Sequence, residues 1–320
     1  MAVKRTSKIR IGEGKPLGIL DYLSGRFTYR DAKSWAEEIA AERIIVNGAT
    51  ATKATVLCCG DEMEYLPEAR PEPEVDETVT VVFEDDDFFA LCKSGNLPCH
   101  PAGIFFNRTL WAMLKEGRVN GVAPLEEIHF VNRLDRETSG LVLVAKNKRA
   151  AKIAARAMAR DEACKEYWVV VEGDFPDELT ADGWLWQDER SVVKKKRRFG
   201  TEKTDGAIDA ETAATSFRCL RRCNGMSLLQ ATLGTGRTHQ IRATLCSLGY
   251  PVVGDKLYGV DDGIYLRFVK DELTEEDRRL LRIERQALHA CHLRLPLPEG
   301  RTLDLRTERP DFDKLFDNNI

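Results

Sequence analysis

Apolar residues fall into two rhythms along this chain. Five runs are continuous or alternating and rich in β-branched and aromatic residues: Val79–Phe83, Phe88–Cys92, Leu141–Ala145, Tyr167–Glu172 and Ser227–Leu233. Each reads as a strand. Between them, Arg108–Lys115 and Lys148–Arg160 carry helical spacing. A further helix is expected to start near Thr238, with Thr238 as its N-cap and Ile241, Leu245 and Leu248 as its apolar stripe. Upstream, the spacing predicts a helix over Asp31–Ala41 with Ala36, Ile39 and Ala40 on one face. A short strand, Ile44–Val46, then ends in an Asn47–Gly48 turn. Strands with helices at irregular intervals imply an α+β fold, a mixed but mainly antiparallel sheet with flanking helices.

The pattern stops between Pro67 and Asp76, where Pro67, Pro71 and Pro73 alternate with Glu68, Glu72 and Glu74. Such a segment is stiff, extended and unable to build a core. It separates a basic arm (residues 1–15, with Lys4, Arg5, Lys8 and Arg10) and a small unit (16–66) from a large domain (77–320). No run of eighteen apolar residues is present, so no membrane span is expected, and no hydrophobic segment follows the basic start as a secretory signal would require. Nine cysteines without zinc-ribbon spacing fit reduced thiols in a cytoplasmic protein. The formal net charge of −4 means that binding to nucleic acid must rest on local patches.

Candidate chemistry concentrates in Asn132–Gly140, where Asp135 stands between Arg133 and Arg136. Neighbouring guanidinium groups favour an ionised carboxylate, which suits a nucleophile or a general base. Taken alone, such a cluster reads as a surface salt-bridge group. Two other segments stand out: Lys165–Gly173, whose alternation places Tyr167, Val169 and Val171 on one face, and Gly234–Arg242, with His239 and Arg242 three apart. Lys194, Lys195, Lys196, Arg197 and Arg198 form a basic run with Trp184 and Trp186 nearby, able to grip phosphates and stack on a base. The five histidines are scattered, His289 and His292 read as structural, and neither a metal nor an organic cofactor is expected.

Together these segments resemble the RluA-type RNA pseudouridine synthases. Asn-Arg-Leu-Asp-Arg-Glu-Thr-Ser-Gly, the Lys-x-Tyr strand about thirty residues later, Gly-Arg-Thr-His-Gln-Ile-Arg, Gly249–Gly259 and Leu288–Ala290 occur in that family's order, and Cys92–Pro98 resembles its Lys-Pro-x-Gly segment, whose glycine and proline suit a loop lining the cleft. Asn132 replaces a histidine, Ser94 a proline, and Ala243-Thr244 a Val-His pair. The resemblance implies a pseudouridine synthase-type catalytic domain in which Asp135 attacks C1′ or removes a C2′ proton. It further implies that Tyr167 stacks on the detached uracil with its hydroxyl joining the proton transfer at C5, that Arg242 pairs with Asp135, and that Arg133 fills the space left by a flipped base. Arg136 would be a local charge partner, with Arg237, His239 and the Lys194–Arg198 run as RNA contacts. The small unit resembles an S4-like RNA-binding domain. The expected protein is a monomeric isomerase acting on 23S ribosomal RNA or on transfer RNA. An idle RNA-binding protein of the same fold and an N-glycoside hydrolase are the alternatives.

Overall fold

The computed structural model describes residues 7–27, 30–66, 68, 72–159, 163–261, 263–310, 312 and 314–317. The chain divides into two compact units, Met1–Pro73 and Glu74–Ile320. Residues 1–6 of the expected arm, 67 and 69–71 of the expected linker, and Arg160 of an expected helix lie outside the described residues.

The first unit contains β1 (Ser7–Arg10), β2 (Leu17–Gly18), α1 (Ile19–Arg26), α2 (Ala32–Ala40), β3 (Ile44–Val46), β4 (Ala49–Thr50), β5 (Val56–Leu57) and β6 (Glu62–Tyr65). Four strands form a sheet in the order β1-β6-β3-β4. Residues 7–10, assigned by composition to a free basic arm, are thus an edge strand paired with β6. The side chain of Asp31 caps α2 by accepting from the Ser34 N–H at 2.8 Å. The face of α2 that packs inward is Trp35, Glu38 and Ile39, while Ala40 is exposed. The tryptophan, with far more apolar area than two alanines, sets the rotation of the helix. Glu38 remains buried because Arg30 and Arg43 pair with it at 3.1 and 3.2 Å.

The second unit begins with β7 (Val79–Glu84), β8 (Phe88–Lys93), α3 (Leu110–Glu116), β9 (His129–Phe130), β10 (Ser139–Ala145) and α4 (Lys148–Met158). It continues with β11 (Cys164–Glu172), β12 (Glu178–Gln187), β13 (Arg197–Gly200), β14 (Glu211–Cys223), β15 (Met226–Leu233) and α5 (Gln240–Ser247). After these come α6 (Gly263–Lys270), α7 (Glu275–Leu281), β16 (Leu288–Pro296), β17 (Thr302–Arg306) and α8 (Lys314–Asp317). One large sheet runs β13-β12-β14-β15-β11-β16-β10-β8-β7, with β17 beside β16 and β9 beside β10. It is the mixed, mainly antiparallel sheet that the apolar runs imply; its parallel pair is β10 with β16.

Strand β10 is buried throughout, which explains why its sequence does not alternate. Leu141 and Leu143 face the alanines of α4 and the leucines of β16 and β17. Val142 and Val144 face Leu110, Met113 and Leu114 of α3. The strand enters the sheet through Gly140, at φ +111°, where an added Cβ would lie 2.2 Å from the Ala290 carbonyl oxygen. Only glycine allows that approach, and it fixes the loop ahead of β10 against β16. On the other half of the sheet, Tyr167, Val169 and Val171 of β11 share a core with Ile241 and Leu245 of α5.

Candidate active site

Asp135 lies in the loop between β9 and β10, and backbone-directed contacts from three directions hold that loop. Asn132 donates to the Leu141 carbonyl at 3.0 Å and accepts from the Leu143 N–H at 2.7 Å, so its amide behaves as a short extra strand beside β10. This is what asparagine does at the position where the family resemblance placed a histidine. Buried Lys93 donates to the carbonyls of Ser94 at 2.9 Å, Arg136 at 3.2 Å and Thr138. Burial pulls the Lys93 ammonium down to about 8, with nearby cysteines and Asp135 favouring its charge and Arg285 opposing it. Gln286 donates to the Thr138 hydroxyl. Lys93 therefore serves as scaffold, and the Lys93–Pro98 segment does not line the cleft at Asp135.

The carboxylate meets Arg242 from the first turn of α5. Arg242 Nη1 donates to Asp135 Oδ2 at 2.6 Å. The same guanidinium is fixed from behind by Asp255, with Nε to Oδ2 at 2.6 Å and Nη2 to Oδ1 at 2.9 Å. Asp255 is 1% exposed and also accepts the backbone N–H groups of Leu257 and Tyr258, both at 2.9 Å. A planar fork gripped on two sides by one carboxylate presents its third nitrogen in a fixed direction. Burial raises the Asp135 carboxyl, but the charge and the hydrogen bond of Arg242 outweigh it, so the group sits below the usual carboxylate range. Oδ1 accepts no hydrogen bond among the described residues, and His239 Nε2 stands 3.9 Å from it.

The same cleft is lined by Tyr167, Arg133, Arg237, His239 and Leu288. Its tyrosine follows a β-bulge at which β11 slips one residue against β16, between Glu166 and Tyr167. Bulges re-aim side chains next to sites. Burial, with the charge of Asp135 adding to it, holds the Tyr167 phenol well above its ordinary value, so it is neutral. Arg133 is exposed at the cleft and makes no ion pair among the described residues.

Several expectations change. The arginines adjacent to Asp135 in sequence are not what keeps it ionised; Arg242 is, from 107 residues away. Arg136 turns from the cleft, stacking between Phe105 and Phe268 (5.2 and 5.0 Å) beside Glu137 at 3.4 Å. Helix α5 begins at Gln240, close to the expected start, but its N-cap is His239 and not Thr238, at φ +58° with no side-chain cap. Gln240 replaces that cap: its Oε1 accepts from the Arg237 N–H and the Thr235 hydroxyl, and its Nε2 donates to the Ala214 carbonyl and the Thr215 hydroxyl. Arg237 bends toward Glu211 and the Thr212 carbonyl.

The basic run also divides. Lys194 and Lys195 are exposed, Lys195 lying 4.5 Å over the Tyr265 ring. Lys196 is buried over Tyr258, Arg197 is tied to the Leu185 and Asp209 carbonyls and Glu211, and Arg198 is half-buried. Trp186 is buried and Trp184 lies beneath Lys203, so neither is an open stacking platform.

Cys164, Glu166 and His292, which sequence spacing did not connect, meet across β11 and β16 with their ligand atoms within 4.8 Å of one another. Both ring nitrogens of His292 are taken at 3.0 Å, by Glu166 and by Asp304, which accounts for the cluster as a hydrogen-bonded patch. His289 is likewise occupied, between the Ser139 and Thr307 hydroxyls at 2.9 and 2.8 Å.

An aspartate loop leading into β10, a tyrosine on β11, the next strand but one, and an arginine from α5 meet at one cleft, the kind of constellation that a nucleoside-modifying enzyme carries. The sequence profile described as RNA pseudouridylate synthase matches residues 87–247. The ribosomal large subunit pseudouridine synthase D of Escherichia coli K12 is 30% identical over 303 residues, covering 88% of this chain and 86% of its own. Its namesake from Vibrio cholerae is 31% identical over 294 residues, with 89% and 84% covered. Among solved structures, Human RNA Pseudouridylate Synthase Domain Containing 1 superposes with a TM-score of 0.59 at 25% identity, covering 77% of this chain and 89% of that one. The chain belongs to the RNA pseudouridylate synthase family, within its RluA-type branch. Its activity is isomerisation of uridine to pseudouridine in RNA. Among the described residues no helix is long and apolar enough to cross a membrane.

Proposed function

We propose that this enzyme modifies uridines of large-subunit ribosomal RNA, with Asp135 as the group that opens the glycosidic bond. The relatives named for the ribosomal large subunit, matched over most of both chains, favour that RNA over transfer RNA. One observation carries the catalytic assignment: the Asp255–Arg242 clamp occupies Oδ2 of Asp135, a residue that lines the cleft, and leaves Oδ1 without a hydrogen bond among the described residues. In the attack route, Oδ1 bonds to C1′ as the C1′–N1 bond breaks and the pair of electrons leaves on uracil. The base rotates, C5 bonds to C1′ as the ester oxygen departs with its electrons, and the C5 proton is lost while N1 gains one. In the elimination route, the same oxygen takes the C2′ proton as the C1′–N1 bond breaks and its electrons leave on uracil; C5 of the rotated base then bonds to C1′ as C2′ regains the proton, and C5 loses a proton while N1 gains one. Either route calls for an ionised carboxylate with one uncommitted oxygen.

Tyr167 enters as a neutral phenol, which suits stacking and hydrogen bonding to the rotating uracil better than deprotonation of C5. Arg133, exposed at the same cleft, is placed to occupy the gap that a flipped uridine leaves. A hydrolase would need a second carboxylate to handle water. The other carboxylate near the site, Asp255, is saturated by Arg242 and two backbone N–H groups. We read the first unit as an S4-like RNA-binding module, supported by its paired helices and the β3–β4 hairpin with its Asn47–Gly48 turn.

The test is tritium release from ribosomal RNA labelled with [5-³H]uridine. Asp135→Asn is expected to release none above background while retaining RNA affinity, and removal of residues 1–73 to weaken that affinity. Normal release by Asp135→Asn refutes the assignment.

A further inference from the structure

His239 and Tyr258 form a pair that the mechanism above does not use. The Tyr258 hydroxyl accepts the Arg197 N–H at 2.9 Å and lies 2.9 Å from His239 Nδ1. Its ring is buried, with the Arg242 guanidinium 5.0 Å and the Lys196 ammonium 5.9 Å from its centre. A phenol has one proton to give. Among the described residues the acceptor offered to it is His239 Nδ1, since the Arg197 contact uses a lone pair. The alternative, Nδ1–H donating to the phenol, would leave the Tyr258 proton buried and unpaired, at a cost of about 1–3 kcal/mol. His239 is therefore the tautomer protonated at Nε2, and this nitrogen is the one 3.9 Å from the uncommitted oxygen of Asp135. The left-handed backbone at His239, costly for a residue with a Cβ, keeps the ring in that place at the head of α5.

The stereochemistry of the substrate then identifies what the Nε2–H meets. In a ribonucleoside the base and the 2′-hydroxyl lie on opposite faces of the sugar. A carboxylate attacking C1′ opposite the departing base approaches from the face that carries the 2′-hydroxyl. A donor beside the attacking oxygen is thus next to O2′, and not next to the uracil. We propose that His239 is a further catalytic residue that hydrogen-bonds the 2′-oxygen of the target uridine, and that Tyr258 is the positioning residue that fixes its tautomer. The pair makes the site read ribose at the reacting nucleotide itself, as 2′-hydroxyl contacts do elsewhere in RNA recognition. The inference rests on Asp135 as the attacking group.

The ring stays neutral in the working range. Burial drives His239 down to about 4, Arg242 and Lys195 push the same way, and Asp135 and Asp255 oppose them.

Two measurements test the proposal. In protein labelled with ¹⁵N-histidine, a two-bond ¹H–¹⁵N spectrum should show His239, assigned by its loss in His239→Gln, with Nδ1 bare and Nε2 protonated. A protonated Nδ1 overturns the tautomer and the proposal with it. The second is a cycle between enzyme and substrate, using the ribosomal RNA oligonucleotide that the enzyme converts, made with uridine or 2′-deoxyuridine at the converted position. Wild-type enzyme and His239→Ala are compared by single-turnover rate. The difference between the two sugars should shrink about tenfold in His239→Ala, the value of one hydrogen bond, and return in His239→Gln, which keeps a donor in place. The intrinsic effect of the missing hydroxyl on bond cleavage is common to both enzymes and cancels. An unchanged ratio in His239→Ala overturns the contact. Asp135→Asn run beside them separates the two readings: if it is active, the attack mechanism fails; if it is dead while the sugar ratio is unmoved, this inference alone fails.

Discussion

At the residue scale the site depends on one guanidinium being shared between two carboxylates. Asp255 takes two nitrogens of Arg242 and Asp135 the third, so the reacting group is aimed by a buried carboxylate that need not touch the substrate. Asp255→Asn should therefore lower the single-turnover rate by about 100-fold while leaving RNA affinity near normal. It should also destabilise the fold by about 3 kcal/mol or more, the usual cost of removing one partner of a buried pair. Tritium release and denaturant unfolding read the two effects separately, and a wild-type rate in a destabilised Asp255→Asn would show that Arg242 holds its aim alone. Asp135, Tyr167 and Arg242 were legible in the sequence because each sits in a local word with its own turn or strand pattern, and the structure brings all three to one cleft. Asp255, Tyr258 and Gln240 were not, because what they do is defined by contacts to distant segments. Arg136 was misread for the opposite reason: adjacency to Asp135 in sequence is not adjacency in space when successive side chains point apart.

At the scale of elements, the β9–β10 loop separates two jobs. Its inward side is bound by Asn132, Lys93 and Gln286, and its outward side presents Arg133. Arg133→Ala should leave the loop intact and slow conversion of a folded RNA more than that of a short single strand, because only the folded substrate needs its base extruded. Equal losses on the two, measured by the same tritium assay, would remove the flipping role. The five strands read from apolar runs in the large domain are present to within a few residues, whereas β12, β14 and β16 were not among them. The N-cap of α5 falls one residue beyond the expected Thr238, because the buried hydrogen bonds of Gln240 fix the first turn. The basic run shows the same limit: five consecutive cations read as one patch, yet alternation along β13 and its approach sends Lys196 inward under Tyr258.

For the whole molecule, acid acts on stability through a buried histidine. His289 is 4% exposed between two hydroxyls, and burial, aided by Arg285 and Lys93, holds it down to about 4. A histidine depressed in the folded state contributes its full stability above the unfolded value near 6.5 and loses it as pH falls toward the folded value. Unfolding free energy should thus drop between pH 6.5 and about 4, by on the order of 3 kcal/mol from this group. Urea titrations across that window should show the slope, and His289→Gln should flatten it; an equal slope in the variant would assign the acid loss to other groups.

The parallel pairing of β10 with β16 also has a bearing on how the enzyme is made. Ser139 and His289, which set that register, are 150 residues apart in the chain. A ribosome therefore delivers Asp135 and its loop long before the strand that seats them, and domains generally fold as units while synthesis proceeds. Closing so distant a pairing is slow as well as late. The nascent protein is expected to stay catalytically silent until β16 has emerged, and a chain cut short before β16 should carry the signature residues without an assembled centre to use them.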